Sequence, residues 1–128
     1  MYTFNTTLID TDFATAVTRT RDALAAEGFG VLTEIDVQKT MKAKLEADMP
    51  AYLILGACNP KMALEAIKIE PRVGAMLPCN VIVRQLDGNK IEVSAIDPVA
   101  SMSAIKNAEL QNVAGQVRDM LASVIKAI

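Results

Sequence analysis

The chain has 128 residues, a formal net charge of -2, 52% hydrophobic and 22% charged residues, and no histidine. That length is one domain, residues 1–128, long enough to bury a core without disulfides or metal. The balance excludes disorder, and the missing histidine excludes every hydrolase or transferase mechanism that depends on one.

Residues 2–8 alternate and are β-branched or aromatic, so they read as a strand. Met1 to Thr7 lacks the charged and apolar regions of a signal peptide, which predicts a cytoplasmic protein with reduced thiols. Asp10 or Thr11 is placed to cap a helix running to Glu27, with Phe13, Val17 and Leu24 on its apolar face. Gly28 follows in the position that a left-handed C-cap favours.

Phe29 to Val37 reads as a second strand, with Phe29, Val31, Thr33, Ile35 and Val37 on one side and Leu32, Glu34 and Asp36 on the other. Gln38 to Asp48, rich in Lys, Ala, Glu and Leu, reads as a short helix stopped before Pro50. Ala51 to Ala57 is apolar on both faces, as in a strand covered by helices on one side and by a partner subunit on the other. This pattern, with the family likeness below, makes a homodimer the expected assembly. The apolar run is far too short to cross a bilayer, so no membrane partner is expected.

Asn59 and Pro60 start the next helix, with Asn at the N-cap and Pro at the first helical position. Met62, Ala63, Ala66 and Ile67 make its expected buried stripe, and Arg72 to Pro78 reads as an irregular connection. Asn80 to Leu86 and Lys90 to Asp97 read as two strands joined at Asp87 and Gly88, a strong hairpin signal. Asn107 to Ala127 is the clearest helix, with Leu110, Val113, Ala114, Val117, Met120, Leu121, Val124, Ile125 and Ile128 along one face. The order is β-α-β-α-β-α-β-β-α.

No basic stripe stands out, and Tyr2, Phe4, Phe13, Phe29 and Tyr52 are scattered, so no nucleic-acid partner is expected. What remains for chemistry is concentrated at two Cys-Asn steps, Cys58-Asn59 and Cys79-Asn80. Cys58 directly precedes a helix N-cap, where free N–H groups and the helix dipole favour a thiolate as nucleophile or metal ligand. The competing account is that both cysteines pack as small hydrophobes, while Asn59 only caps its helix and Asn80 only satisfies a turn or sheet edge. Glu34 and Asp36 could serve acid–base chemistry or a hard cation, against a solvated face with loose ion pairs. Lys44 could reach an anionic ligand, against an ordinary solvated helix lysine. The methionines read as core.

The strings from Glu27 to Asp36, Ile54 to Pro60, Leu77 to Val81 and Asp97 to Pro98, in that order, resemble the family known as domain of unknown function 302. The resemblance implies an α+β two-layer sandwich with a TATA-binding-protein-like arrangement, a curved, mainly antiparallel five-stranded sheet with helices packed on one face, a dimeric assembly, and no established activity. It also settles a question that the residues leave open. Parallel third and fourth strands would put Cys58 and Cys79 at opposite ends of the sheet, roughly 26 Å apart at ~3.3 Å per residue. Antiparallel strands, which the resemblance favours, bring Cys58, Asn59, Cys79 and Asn80 to one end.

The expectation is therefore a dimeric module binding a small ligand or a soft metal ion near Cys58 and Cys79, with Glu34 and Lys44 as further ligand contacts. The two thiols would be the metal ligands, suited to Cu(I), or to Zn²⁺ with added donors. The alternatives are a thiol-dependent redox enzyme with one attacking and one resolving cysteine, and a structural or partner-binding protein without a small-molecule site.

Overall fold

A computed structural model describes residues 1–128. Five strands, β1 (Thr3–Ile9), β2 (Gly30–Asp36), β3 (Tyr52–Cys58), β4 (Cys79–Gln85) and β5 (Lys90–Ile96), form one sheet in the order β1-β5-β4-β3-β2. Every neighbouring pair is antiparallel. The helices are α1 (Phe13–Ala26), α2 (Val37–Leu45), α3 (Pro60–Ile69), α4 (Pro98–Ser101) and α5 (Ala108–Ala127). The fold is thus α+β, with the element order read from the sequence plus one short helix.

Side-chain alternation builds the core. Leu53, Leu55 and Ala57 of β3, Val81 and Val83 of β4, and Ile91, Val93 and Ala95 of β5 share one buried face. Across it lie Ala16, Thr20, Ala23 and Leu24 of α1 and seven buried side chains of α5: Leu110, Val113, Ala114, Val117, Leu121, Val124 and Ile125. Each fully buried leucine or valine in that layer contributes about 1.5–3 kcal/mol before the cost of ordering the chain. Thr20, sealed inside the layer, donates its hydroxyl to Ala16 O at 2.8 Å, so its burial leaves no orphaned polar atom.

Each helix starts on an acidic or amide side chain. Asp12, Asp36, Asn59, Asp97 and Asn107 accept from the backbone N–H of Thr15, Lys39, Met62, Val99 and Leu110. The first cap is Asp12, not Asp10 or Thr11, because Asp12 is the residue whose carboxylate reaches a first-turn amide. Gly28 takes φ +83°, as the C-cap reading requires, and Gly88 takes φ +70° in the hairpin turn.

Three local expectations are corrected. The β2 register shifts between Val31 and Thr33, so Val31 pairs with Ala57 and Thr33 with Gly56. Leu32 is the extra residue of a bulge, and Val31 and Thr33 therefore point to opposite faces. Ile67 is 41% exposed and does not join Met62 and Ala66 in the buried stripe of α3. Finally, Pro71–Met76 is a 3-10 helix rather than an irregular connection, started by Glu70 accepting from Arg72 N.

The opposite face of the sheet is left open by α1, α3 and α5. It carries Tyr52, Ile54, Ile82, Asn80 and the pair Arg84–Glu92, whose Nε and Oε1 are 2.8 Å apart across β4 and β5. Tyr52 and Ile54 are half-buried there, so the doubly apolar pattern of β3 corresponds to a helix-covered face and a partly shielded one.

A thiol-lined cleft as candidate functional site

The antiparallel pairing of β3 and β4 sets Ala57 opposite Cys79, so Cys58 and Cys79 emerge at one end of the sheet. The end of β3 is held by the turn into α3, where Asn59 caps and Pro60 occupies the first turn. The start of β4 follows Leu77 and Pro78, joined by a cis peptide bond. Gly56 is required at this crossing. A Cβ there would collide with Thr33 Oγ1 and stand 2.6 Å from Pro78 Cγ.

Cys58 and Cys79 are among the residues lining one apolar cleft with a cavity volume of about 40 Å³. Its walls come from Phe29, Ala57, the α3 residues Met62 and Ala66, Met102 after α4, and the α5 residues Leu110 and Ala114. At ~10–15 Å³ per water, such a space holds about three waters. Asn59 stands at the rim. Its Oδ1 accepts from Met62 N at 3.3 Å, and its Nδ2 lies where a Cβ on Gly28 would approach to 3.3 Å. Gly28 thus lets the end of α1 close against the start of α3.

The electrostatics of the cleft are those of a dry site. No Asp, Glu, Lys or Arg lines it. Burial pushes the Cys79 thiol up from 9.0 to about 11, with a smaller push from the charge of Cys58. Desolvation also raises Cys58 above its ordinary value, and Cys58 is the more accessible of the two. At neutral pH both are therefore thiols.

The other sequence candidates lie elsewhere. Asn80 is exposed on the opposite face of the sheet, because alternation turns it away from Cys79. Glu34 forms an exposed ion pair with Arg21 of α1, and Asp36 caps α2. Lys44 is exposed near the end of α2 and does not line the cleft. No three His, Cys, Asp or Glu side chains come together anywhere as a metal-ligating group. Met62 and Met102 are 9% and 4% exposed and pack as core, yet they also add two thioethers to the same cleft, which the sequence reading did not place there. The available signal for Met62 was its position in the first turn of the helix that follows Cys58.

Comparison with solved structures finds the same architecture in the crystal structure of an uncharacterized conserved protein DUF302 from Bacillus stearothermophilus. It superposes with a TM-score of 0.91 at 24% identity, over 99% of this chain and 98% of that one. A likeness at that identity speaks for the fold. No curated protein matches the chain. The family described as Domain of unknown function DUF302 matches residues 4–128, nearly the whole length over which the four strings, the antiparallel sheet and the thiol-lined cleft are distributed. This chain belongs to that family.

Proposed function

We propose that this protein is a binding module whose site is the thiol-lined cleft, and that its guest is a thiophilic or apolar species of only a few atoms. The observation that carries the reading is that two cysteines from separate segments line one apolar cavity, with no charged residue beside them. The volume limits the guest. Drug-sized ligands occupy pockets of roughly 300–1,000 Å³, and about 40 Å³ is available here. The direction of the thiol shifts counts against the redox-enzyme alternative, since an attacking cysteine needs thiolate at working pH. The reading requires reduced thiols, which a reducing compartment such as the cytoplasm maintains.

The test is an NMR titration of methyl-labelled protein with dimethyl sulfide and similar few-atom apolar molecules. Saturable shifts confined to Ala57, Met62, Ala66 and Ala114 are the expected result. Shifts scattered over the surface, or none, would leave the protein a scaffold without a small-molecule site.

The homodimer is part of the same proposal. Its support is the exposure of Leu32 (66%), Ile35 (48%) and Leu45 (69%) along β2 and α2. Sedimentation equilibrium should give a mass near twice 13.8 kDa at micromolar concentration, and Leu45→Glu should shift it toward the monomer. A monomeric mass for the unaltered protein would refute the pairing.

A further inference from the structure

We propose a second binding site, on the open face of the sheet, for an uncharged nucleobase or nucleoside. It lies across the sheet from the thiol-lined cleft and does not depend on that cleft binding anything.

The space has the size of a small-molecule site. A concavity of about 480 Å³ opens over β1, β5, β4 and the start of β3, within the roughly 300–1,000 Å³ that such ligands occupy. Strand register lays out its floor. Asn5, Ser94 and Ile82 form one row across β1, β5 and β4, and Glu92, Arg84 and Tyr52 form the next across β5, β4 and β3.

One floor residue lacks a partner. Thr20 and Ser94 are the two buried polar residues of the chain. Thr20 donates to its own helix, whereas the Ser94 side chain makes no hydrogen bond within the protein. Ser94 is 5% exposed and sits between Val93 and Ala95, which face the core, so alternation turns its hydroxyl to the open face. No side-chain nitrogen or oxygen in the molecule is both sealed and unpartnered, so the remaining access to this hydroxyl is from the concavity. A group in that position gains from a ligand that supplies the missing hydrogen bond.

The other lining groups set the class of guest. Arg84 Nε donates to Glu92 Oε1 at 2.8 Å, and the remaining guanidinium N–H groups and Glu92 Oε2 have no partner in the chain. These two are the only charged side chains in the concavity, and their charges cancel. A phosphate or carboxylate would compete with Glu92 for Arg84 and face a like charge, so the guest is neutral. Both tyrosines of the chain, Tyr2 and Tyr52, line the same space and supply aromatic surface. Asn5 and Asn80 each add a carboxamide, a donor beside an acceptor. Aromatic surface with paired donors and acceptors is the chemistry that reads a nucleobase, as Asn does with adenine and Arg with guanine. A chain without a basic stripe suits a single uncharged unit rather than a strand of phosphates.

The experiment is an NMR titration of isoleucine-methyl-labelled protein with guanosine, adenosine, cytidine and uridine, with glucose and guanosine monophosphate as comparisons. Saturable shifts of the Ile82 and Ile96 methyls are expected with at least one nucleoside, at one per chain. Glucose should leave them unmoved, and the monophosphate should bind more weakly than guanosine. Ser94→Ala removes only a hydroxyl without a partner in the chain, so it should keep the unfolding temperature and weaken binding by about tenfold. Tyr52→Leu should weaken binding by about tenfold through lost stacking. No shift with any of the four nucleosides would overturn the proposal. So would full affinity in Ser94→Ala, glucose binding as tightly as the nucleosides, or a monophosphate that binds more tightly than guanosine. If the Ile82 and Ile96 signals move on dilution of the protein alone, a second copy covers this face and the proposal fails. The dimethyl sulfide titration reads Ala57, Met62, Ala66 and Ala114 instead, so the two sites stand or fall separately.

Discussion

The cleft end of the molecule and the arm formed by β2 and α2 are made of similar residue types and are treated oppositely by the fold. Between Phe29 and Leu53 no residue is buried, and α2 contributes none to the core. Beyond it, β3, β4 and β5 meet α5 in a layer where Leu55, Val81, Val83, Ile91, Val93 and Leu121 are all 0% exposed. The arm is held by its ladder to β3, by its Asp36 cap and by exposed contacts such as Lys42–Asp48. Stability therefore resides in the layer that also builds the cleft, and the arm is a surface element whose apolar side chains remain free for contact.

The largest expected effect sharpens that contrast directly. Leu55→Ala should lower unfolding free energy by about 2–5 kcal/mol, while Lys44→Ala, on the exposed arm, should stay within about 0.5 kcal/mol. Urea denaturation of the two variants at equal protein concentration checks this. Equal losses would mean that the arm is a second core, and the comparison would break.

A second effect belongs to the cleft alone. Cys79 is protonated in the fold up to about pH 11, whereas the unfolded chain loses that proton near 9.0. The contribution is fully present below pH 9.0 and is lost as pH rises toward about 11. Over that window it amounts to roughly 2–3 kcal/mol, at about 1.4 kcal/mol per pKa unit. Chemical denaturation at stepped pH should show the decline, and Cys79→Ala should flatten it. An unchanged slope in that variant would mean that Cys79 titrates like a free thiol.

Two smaller effects probe how the cleft end is closed. Gly56→Ala should cost about 1–3 kcal/mol, since the new methyl meets Thr33 and Pro78, and Thr33→Ala should recover part of it. Asn59→Ala should cost about 1 kcal/mol by removing the α3 cap. Thermal unfolding of the three variants ranks these terms. A neutral Gly56→Ala would show that β2 and the Pro78 loop yield easily.

The same contrast explains what could be read from the residues. Asn59-Pro60, Asp87-Gly88 and the apolar face of α5 were legible because local chemistry and tertiary burial agree there. The bulge at Leu32 was not, because nothing in the local pattern marks an extra residue on an edge strand. The exposure of Ile67 depends on how much of α3 the neighbouring elements cover, which periodicity does not report. Asn80 follows a different rule. Its separation from Cys79 was already fixed by strand alternation, since consecutive side chains point to opposite faces. The chain direction that unites the thiols came from the family likeness, as the spacing of Cys58 and Cys79 fits either direction.

Crystallography of the reduced protein under xenon pressure examines the cleft without relying on any particular chemistry of the guest. The account predicts a single strong xenon peak in contact with Cys58, Cys79 and Met62. A derivative with no peak there, or with the two sulfurs separated by packed side chains, would contradict it.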